Sequence, residues 1–196
     1  MEGLDILKKT LFHFAGSRDR DLKELESKFT LKTYKKNDFF LKEKLISKNM
    51  GFVVSGILRE FYTDKVGREY NKSFCLPGYF TGSYYDLSSG KPSVVSIQAM
   101  TDAKILVMSY AEYKRLVSKD MFWLKVAYSY AHNLLMSKIE KEFQLLTLSA
   151  AERYDLLLST NKELIQLIPD YHIASYLGIT PISLSRIRSN KVKTRI

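Results

Sequence analysis

His172-Ile173-Ala174-Ser175-Tyr176-Leu177-Gly178-Ile179-Thr180-Pro181-Ile182-Ser183-Leu184-Ser185-Arg186-Ile187-Arg188 is the stretch that decides how this chain folds. It reads as helix, turn, helix. Ala174 is small enough for two helices to cross closely. Gly178 follows an apolar helical face, where a residue with positive φ commonly ends a helix. Thr180 is a good N-cap, and Pro181 falls at the first helical position, where its missing N–H costs nothing. Leu184 and Ile187 are three apart and are expected to face inwards. At about 100° per residue, Ile182, Ser185, Arg186 and Ser189 then lie on the opposite face.

That outward face is basic. From Tyr171 to Ile196 there is no acidic residue, while Arg186, Arg188, Lys191, Lys193 and Arg195 are all cationic. The whole chain of 196 residues carries a formal net charge of +10. Such a surplus favours an anionic partner: nucleic acid, nucleotide or membrane surface. Arg186 is the candidate for base contact, because a guanidinium can donate two bonds to O6 and N7 of guanine. Ser183 and Ser185 are short donors that suit phosphates or base edges. Arg188 lies nearer the buried edge and reads as a phosphate contact or a structural cation. Lys191, Lys193 and Arg195 would add sequence-independent phosphate attraction. Ile182 has two readings, a contact to a thymine methyl or a packing residue. Thr180, Pro181 and Ser189 complete the candidate nucleic-acid face. The plainer alternative is a helical hairpin with a solvated basic surface.

Upstream of this segment, Ala150 to Leu158 reads as one helix and Lys162 to Leu167 as another, stopped by Pro169. Before them, about residues 120–146, runs a stretch without Pro or Gly. Leu124, Tyr128, Ala131, Leu135, Ile139 and Phe143 form one helical stripe there. A helix of that length spans ~39 Å, more than a roll of about eighty residues can cover. Leu124, Tyr128, Ala131, Leu135 and Ile139 are therefore expected to meet a symmetry mate. The alternative is a core helix lying across its own domain. From about Phe29 to Met108 the pattern is one of short strands with turn punctuation, which suggests a small antiparallel roll or barrel. Leu4, Leu7, Leu11 and Phe12 mark an N-terminal helix. The expected class is α+β: an antiparallel β-roll, a long dimerisation helix within residues 1–148, and a helix-turn-helix domain over 149–196.

Ile173 to Arg188, preceded by Leu148-Ser149-Ala150-Ala151-Glu152-Arg153-Tyr154, resembles the C-terminal half of bacterial transcription regulators of the Crp–Fnr family. Roll, long helix and helix-turn-helix follow in that family's order. The resemblance implies a cytoplasmic homodimer that places its second helix in the major groove of a two-fold symmetric operator in double-stranded DNA. It also implies RNA polymerase as a protein partner, and a roll of the cyclic-nucleotide-binding type. Arg186 matches the family arginine. Ile182 stands where many members have glutamate, and Pro181 where the cyclic-AMP receptor has arginine, so a different operator is expected. The family's cassette for a cyclic nucleotide places glutamate and arginine at positions that fall here on Ser83 and Ser93. Pro77-Gly78-Tyr79-Phe80-Thr81-Gly82 resembles the start of that cassette, yet both charged anchors are missing. Lys91 is a nearby point charge without a bidentate fork. Control by cyclic AMP is therefore not expected. Gly82, Ser83, Tyr84, Tyr85, Ser93 and Val94 remain the candidate ligand residues. The two tyrosines either fill the vacated pocket or line the site of a different effector.

Other chemistries fit less well. A single cysteine, Cys75, excludes an intrachain disulfide and a four-cysteine cluster. His13, His132 and His172 all lie outside the strand region, which disfavours a haem ligand there and a metal-dependent jelly-roll enzyme. No nucleophile elbow is present. No cofactor, no enzymatic activity and no membrane partner are expected, since no apolar run approaches the ~18 residues of a span. The remaining alternative is a ligand-binding roll whose C-terminal helices contact a protein partner.

Overall fold

A computed structural model describes residues 2–18 and 20–193. Eight strands form: β1 (Thr30–Tyr34), β2 (Phe39–Leu41), β3 (Asn49–Ser55), β4 (Leu58–Thr63), β5 (Glu69–Cys75), β6 (Phe80–Thr81), β7 (Ser96–Ala99) and β8 (Ala103–Ser109). They make two four-stranded sheets, ordered β1-β8-β3-β6 and β2-β7-β4-β5. Antiparallel pairing sets the register, as in Met50 opposite Met108 and Val53 opposite Ile105. Alternate residues then serve opposite faces. Val53, Ile105 and Val107 enter one core cluster, with Leu58, Val95 and Ile97. Phe52, Val54, Leu106 and Met108 enter another, beneath helix α1 (Leu4–Ala15). That helix contributes Leu4, Leu7 and Leu11, all nearly or fully buried.

Two short helices accompany the strands, one inside the region that reads as strand and turn and one just past its end at Met108. Helix α2 (Tyr84–Ser89) follows β6, and α3 (Tyr110–Val117) follows β8. Each begins on a serine whose hydroxyl accepts a backbone N–H of the first turn, Ser83 from Asp86 and Ser109 from Glu112. Capping of this kind satisfies donors that the helix itself leaves unpaired. The long helix α4 runs from Met121 to Thr147, close to the expected span. Its early residues Trp123 and Val126 are buried in the cluster beneath α1.

The chain forms two compact units, residues 1–61 with 74–134, and residues 62–73 with 135–196. This division crosses α4 and differs in extent from the functional boundary expected after residue 148. The second unit holds the tip of the β4–β5 hairpin and helices α5 (Ala150–Thr160), α6 (Lys162–Leu167), α7 (Asp170–Leu177) and α8 (Pro181–Lys193). Ser149 and Glu152 form a capping box at the start of α5. Tyr154, Leu157, Leu164, Ile168, Ile173, Ala174, Leu177 and Leu184 are buried here. At the hairpin tip, Asp64 accepts the backbone N–H groups of Val66 and Arg68, the Arg68 Nε–H and the Tyr70 hydroxyl. On α4, burial lowers the Lys141 ammonium to about pKa 8, with Lys138 and Lys72 adding repulsion. The ammonium donates to Lys72 O and lies 3.8 Å from the centre of the Tyr176 ring.

Two outcomes follow from this packing. Gly56 has φ +84°, and a Cβ there would stand 2.4 Å from Asp102 O and 2.7 Å from Ala103 Cα. Both obstacles are backbone or core, so Gly56→Ala should lower stability by on the order of 2 kcal/mol in urea denaturation. An unchanged midpoint would show that the turn relaxes freely. For Lys141, both folded and unfolded chains hold the proton below about pH 8. Between there and the ordinary value of 10.5 the folded state has released it while the unfolded chain has not. This group therefore makes stability rise with pH across that window. Lys141→Met should flatten the rise, by on the order of 1 kcal/mol between pH 7.5 and 9.5. Parallel pH profiles for parent and variant would contradict it.

Candidate nucleic-acid interface

Helices α7 and α8 are built from the features that mark them in sequence. Gly178 has φ +70° and ends α7, its N–H bonding Ser175 O, while Ile179 N–H bonds Ala174 O. Thr180 caps α8: its Oγ1 accepts the Ser183 N–H at 3.1 Å and shares a hydrogen bond with Ser183 Oγ at 2.9 Å. Ala174 is fully buried, and Leu184 is 1% exposed. Ile187 is half-buried. The inward face is thus the expected one.

The outward face is narrower than expected. Pro181, Ile182, Ser185, Arg186 and Ser189 are exposed, and Ser183 is half-buried. Ile182 is 67% exposed, which removes the packing reading. Ser189 donates to Ser185 O one turn back. Two of the expected phosphate contacts are already occupied. Arg188 donates from Nε to Tyr154 Oη at 3.0 Å and from Nη1 to Asp170 at 2.7 Å. Of its two sequence readings it takes the structural one, bracing α8 against α5 and α7. Lys191 is ion-paired with Asp155 across the unit, at a partly exposed position. That pairing was not legible because Asp155 and Lys191 lie on separate helices. The side chain of Lys193, and Arg195 altogether, lie outside the described residues. Among the described residues of this face, what remains is one exposed guanidinium, Arg186, beside small hydroxyls and Ile182.

A residue that sequence reasoning quoted but gave no role is Arg153. Its Nη1 donates to Leu148 O, and its Nε and Nη2 donate to Leu177 O at 3.3 and 3.0 Å. It joins the start of α5 to the end of α7, where helix carbonyls need partners.

The candidate ligand residues lie in the first unit. Gly82 has φ +130°, and Ser83 serves as the N-cap of α2. Tyr84 is 37% exposed and meets the Tyr130 ring edge-on at 6.2 Å. Tyr85 is 63% exposed, which corrects the reading that both tyrosines fill a vacated pocket. Val94 is also exposed. Ser93 is buried, and its hydroxyl donates to Asp86 Oδ2 at 2.5 Å. Asp86 is fully buried, and its Oδ1 has no hydrogen-bond partner among the described residues. Where the family resemblance places an arginine, this chain has a hydroxyl already committed to a carboxylate. Asp86 was not singled out in sequence, because nothing local signals that its side chain turns inwards.

The stripe on α4 is exposed. Leu124 is 49% exposed, Tyr128 71%, Leu135 56% and Ile139 51%, with Ala131 half-buried. Phe143 and Leu146 continue the apolar surface. The alternative of a helix lying wholly in its own core does not hold for these residues. Among the described residues no helix is long and apolar enough to cross a membrane.

Residues 31–120 match the model of the cyclic nucleotide-binding domain family. A search of curated protein sequences finds no match. Among solved structures, FixK2 from Bradyrhizobium japonicum superposes with a TM-score of 0.75 at 21% identity, over 86% of each chain. A CooA variant from Carboxydothermus hydrogenoformans gives 0.72 at 17% identity, covering 94% of this chain and 84% of its own. A transcriptional regulator assigned to the Crp/Fnr family from Eubacterium rectale gives 0.72 at 17%, covering 89% and 85%. Residues 31–120 are therefore a domain of the cyclic nucleotide-binding type, in a chain that has the fold of Crp/Fnr-type transcription regulators.

Proposed function

We propose that this protein is a sequence-specific DNA-binding transcription regulator that acts as a homodimer on a palindromic operator, in the cytoplasm, with RNA polymerase as its protein partner. The observation that carries the reading is the outward face of α8. An exposed Arg186 stands beside Ser185 and Ile182, on a helix held by Arg188, in a segment free of acidic residues from Tyr171 onwards. The guanidinium reads a guanine, and Ile182 meets a thymine methyl. The exposed apolar stripe of α4 supplies the face for a second copy, related by a two-fold axis. Ordinary cyclic AMP is not the effector. A cyclic phosphate needs a fixed cation and N–H donors, and Ser93 is instead bonded to the buried Asp86 carboxylate.

The test is selection of bound duplexes from a random pool with purified protein and no added ligand. The expected product is an inverted repeat. Arg186→Ala should lose discrimination at one base pair per half-site, by about 1–3 kcal/mol, with little change on other sequences. Equal loss on every duplex would remove base readout from Arg186. Enrichment of no duplex, together with salt-independent binding to a protein, would favour the partner-binding alternative. For the dimer, Leu135→Glu should convert the protein to monomer in sedimentation. An unchanged dimer would place the interface elsewhere.

A further inference from the structure

Within the second unit, the β4–β5 tip and α7 are joined by a set of polar contacts centred on Asn71. Asn71 is 5% exposed, as is His172. The Asn71 N–H donates to Ser175 Oγ at 2.9 Å, and Ser175 Oγ donates to Glu69 O at 3.1 Å. The Asn71 side-chain Nδ2 donates to His172 O at 3.0 Å and lies 3.1 Å from His172 Nδ1. Lys141 donates to Lys72 O and stacks on Tyr176. Buried groups of this kind are costly to leave unpaired, so the contacts hold or break together.

Helix α7 therefore has two occupied faces. Ile173, Ala174 and Leu177 are buried in the helical core. His172 and Ser175 meet the tip, and Tyr176 meets Lys141, which bonds Lys72 O of the tip. This grip leaves Ile182, Ser185 and Arg186 on α8 exposed. It steadies the motif without covering its outward surface.

We propose that Asn71 and Ser175 are positioning residues for DNA binding: the tip of the β4–β5 hairpin is a third support of the helix-turn-helix, holding α7, and through it α8, in the orientation that enters the groove. The inference rests on the DNA-binding reading above. A recognition element must be held within about 0.5 Å and 10–20° of its productive geometry. Core packing grips α7 on one side only, and the tip grips the other. Losing that second grip costs affinity through lost preorganisation rather than lost contacts.

The experiment compares Asn71→Ala, Ser175→Ala and Ser175→Thr in the full chain. Fluorescence anisotropy is read on the selected inverted repeat and on a scrambled duplex, with amide hydrogen exchange followed on α7. Alanine is a better helix former than serine, so Ser175→Ala does not weaken α7 by propensity. Both alanine variants should bind both duplexes about 5-fold more weakly, with an unchanged ratio between them and faster exchange on α7. Ser175→Thr keeps the hydroxyl and should restore binding. Parent-like affinity in both alanine variants overturns the inference, whatever the exchange shows. So does a changed ratio between duplexes, which would make these residues readers of sequence. A loss that Ser175→Thr fails to restore, with Asn71→Ala like the parent, overturns it as well. A parent protein that binds no duplex overturns the DNA reading itself, and this inference with it.

Discussion

The helical unit depends on where its helix-terminal carbonyls find donors. Arg153 answers this with one side chain, bonding Leu148 O and Leu177 O. A planar guanidinium holds its donors in a fixed fork, so both bonds orient one rigid group, whereas a lysine ammonium is a rotatable point charge. The chain entering α5 and the chain leaving α7 are thereby fixed to one rigid group. The turn at Gly178 follows directly, so the start of α8 inherits its direction from Arg153. Arg188 does the same further along, against Tyr154 and Asp170. Two of this segment's arginines thus set geometry, and Arg186 is left exposed.

The contrast between the ends of the chain has the same root. In the roll, the position that would carry a cation holds Ser93, and the nearby buried charge is the Asp86 carboxylate. A carboxylate at that place repels a phosphate. In the tail, by contrast, acids are absent from the sequence after Asp170. The excess of +10 therefore does not describe one uniformly basic surface. Net charge favours an anionic partner, and under the proposed function the local chemistry directs that partner to the helices.

Much of the architecture was legible because it rests on local rules. Gly178, Thr180 and Pro181 announce their backbone geometry by residue type, and α6 falls at the expected residues. Short apolar runs next to turn residues marked β3 and β8. The lysine-bearing β1 and the three-residue β2 carry too little pattern to stand out singly, and α2 starts on a serine cap amid strand signals. Distant pairings were not legible at all. Asp155 reaches Lys191, Asp86 reaches Ser93, and Asn71 reaches His172 and Ser175, the last two across about a hundred residues. Sequence tells which side chains can donate or accept, and tertiary folding alone decides which find each other.

Under the proposed function, the use of Arg188 and Lys191 inside the unit bears on why a second copy would be needed. A recognition helix with one exposed guanidinium has little specific free energy available, since a good bidentate pair discriminates by about 1–3 kcal/mol. Lys191, also in this segment, is paired with Asp155 in the single chain. Two-fold repetition is the simplest remedy. It would double the base contacts, with the ordering cost of the proposed dimer met beforehand by apolar burial along α4. Leu124, Tyr128, Leu135 and Ile139 are exposed in the single chain, and such an aliphatic and aromatic stripe is poorly placed facing water. The sparse reading head and the uncovered helix are in this view two halves of one arrangement: the fewer contacts each copy can make with DNA, the more the protein depends on its own partner.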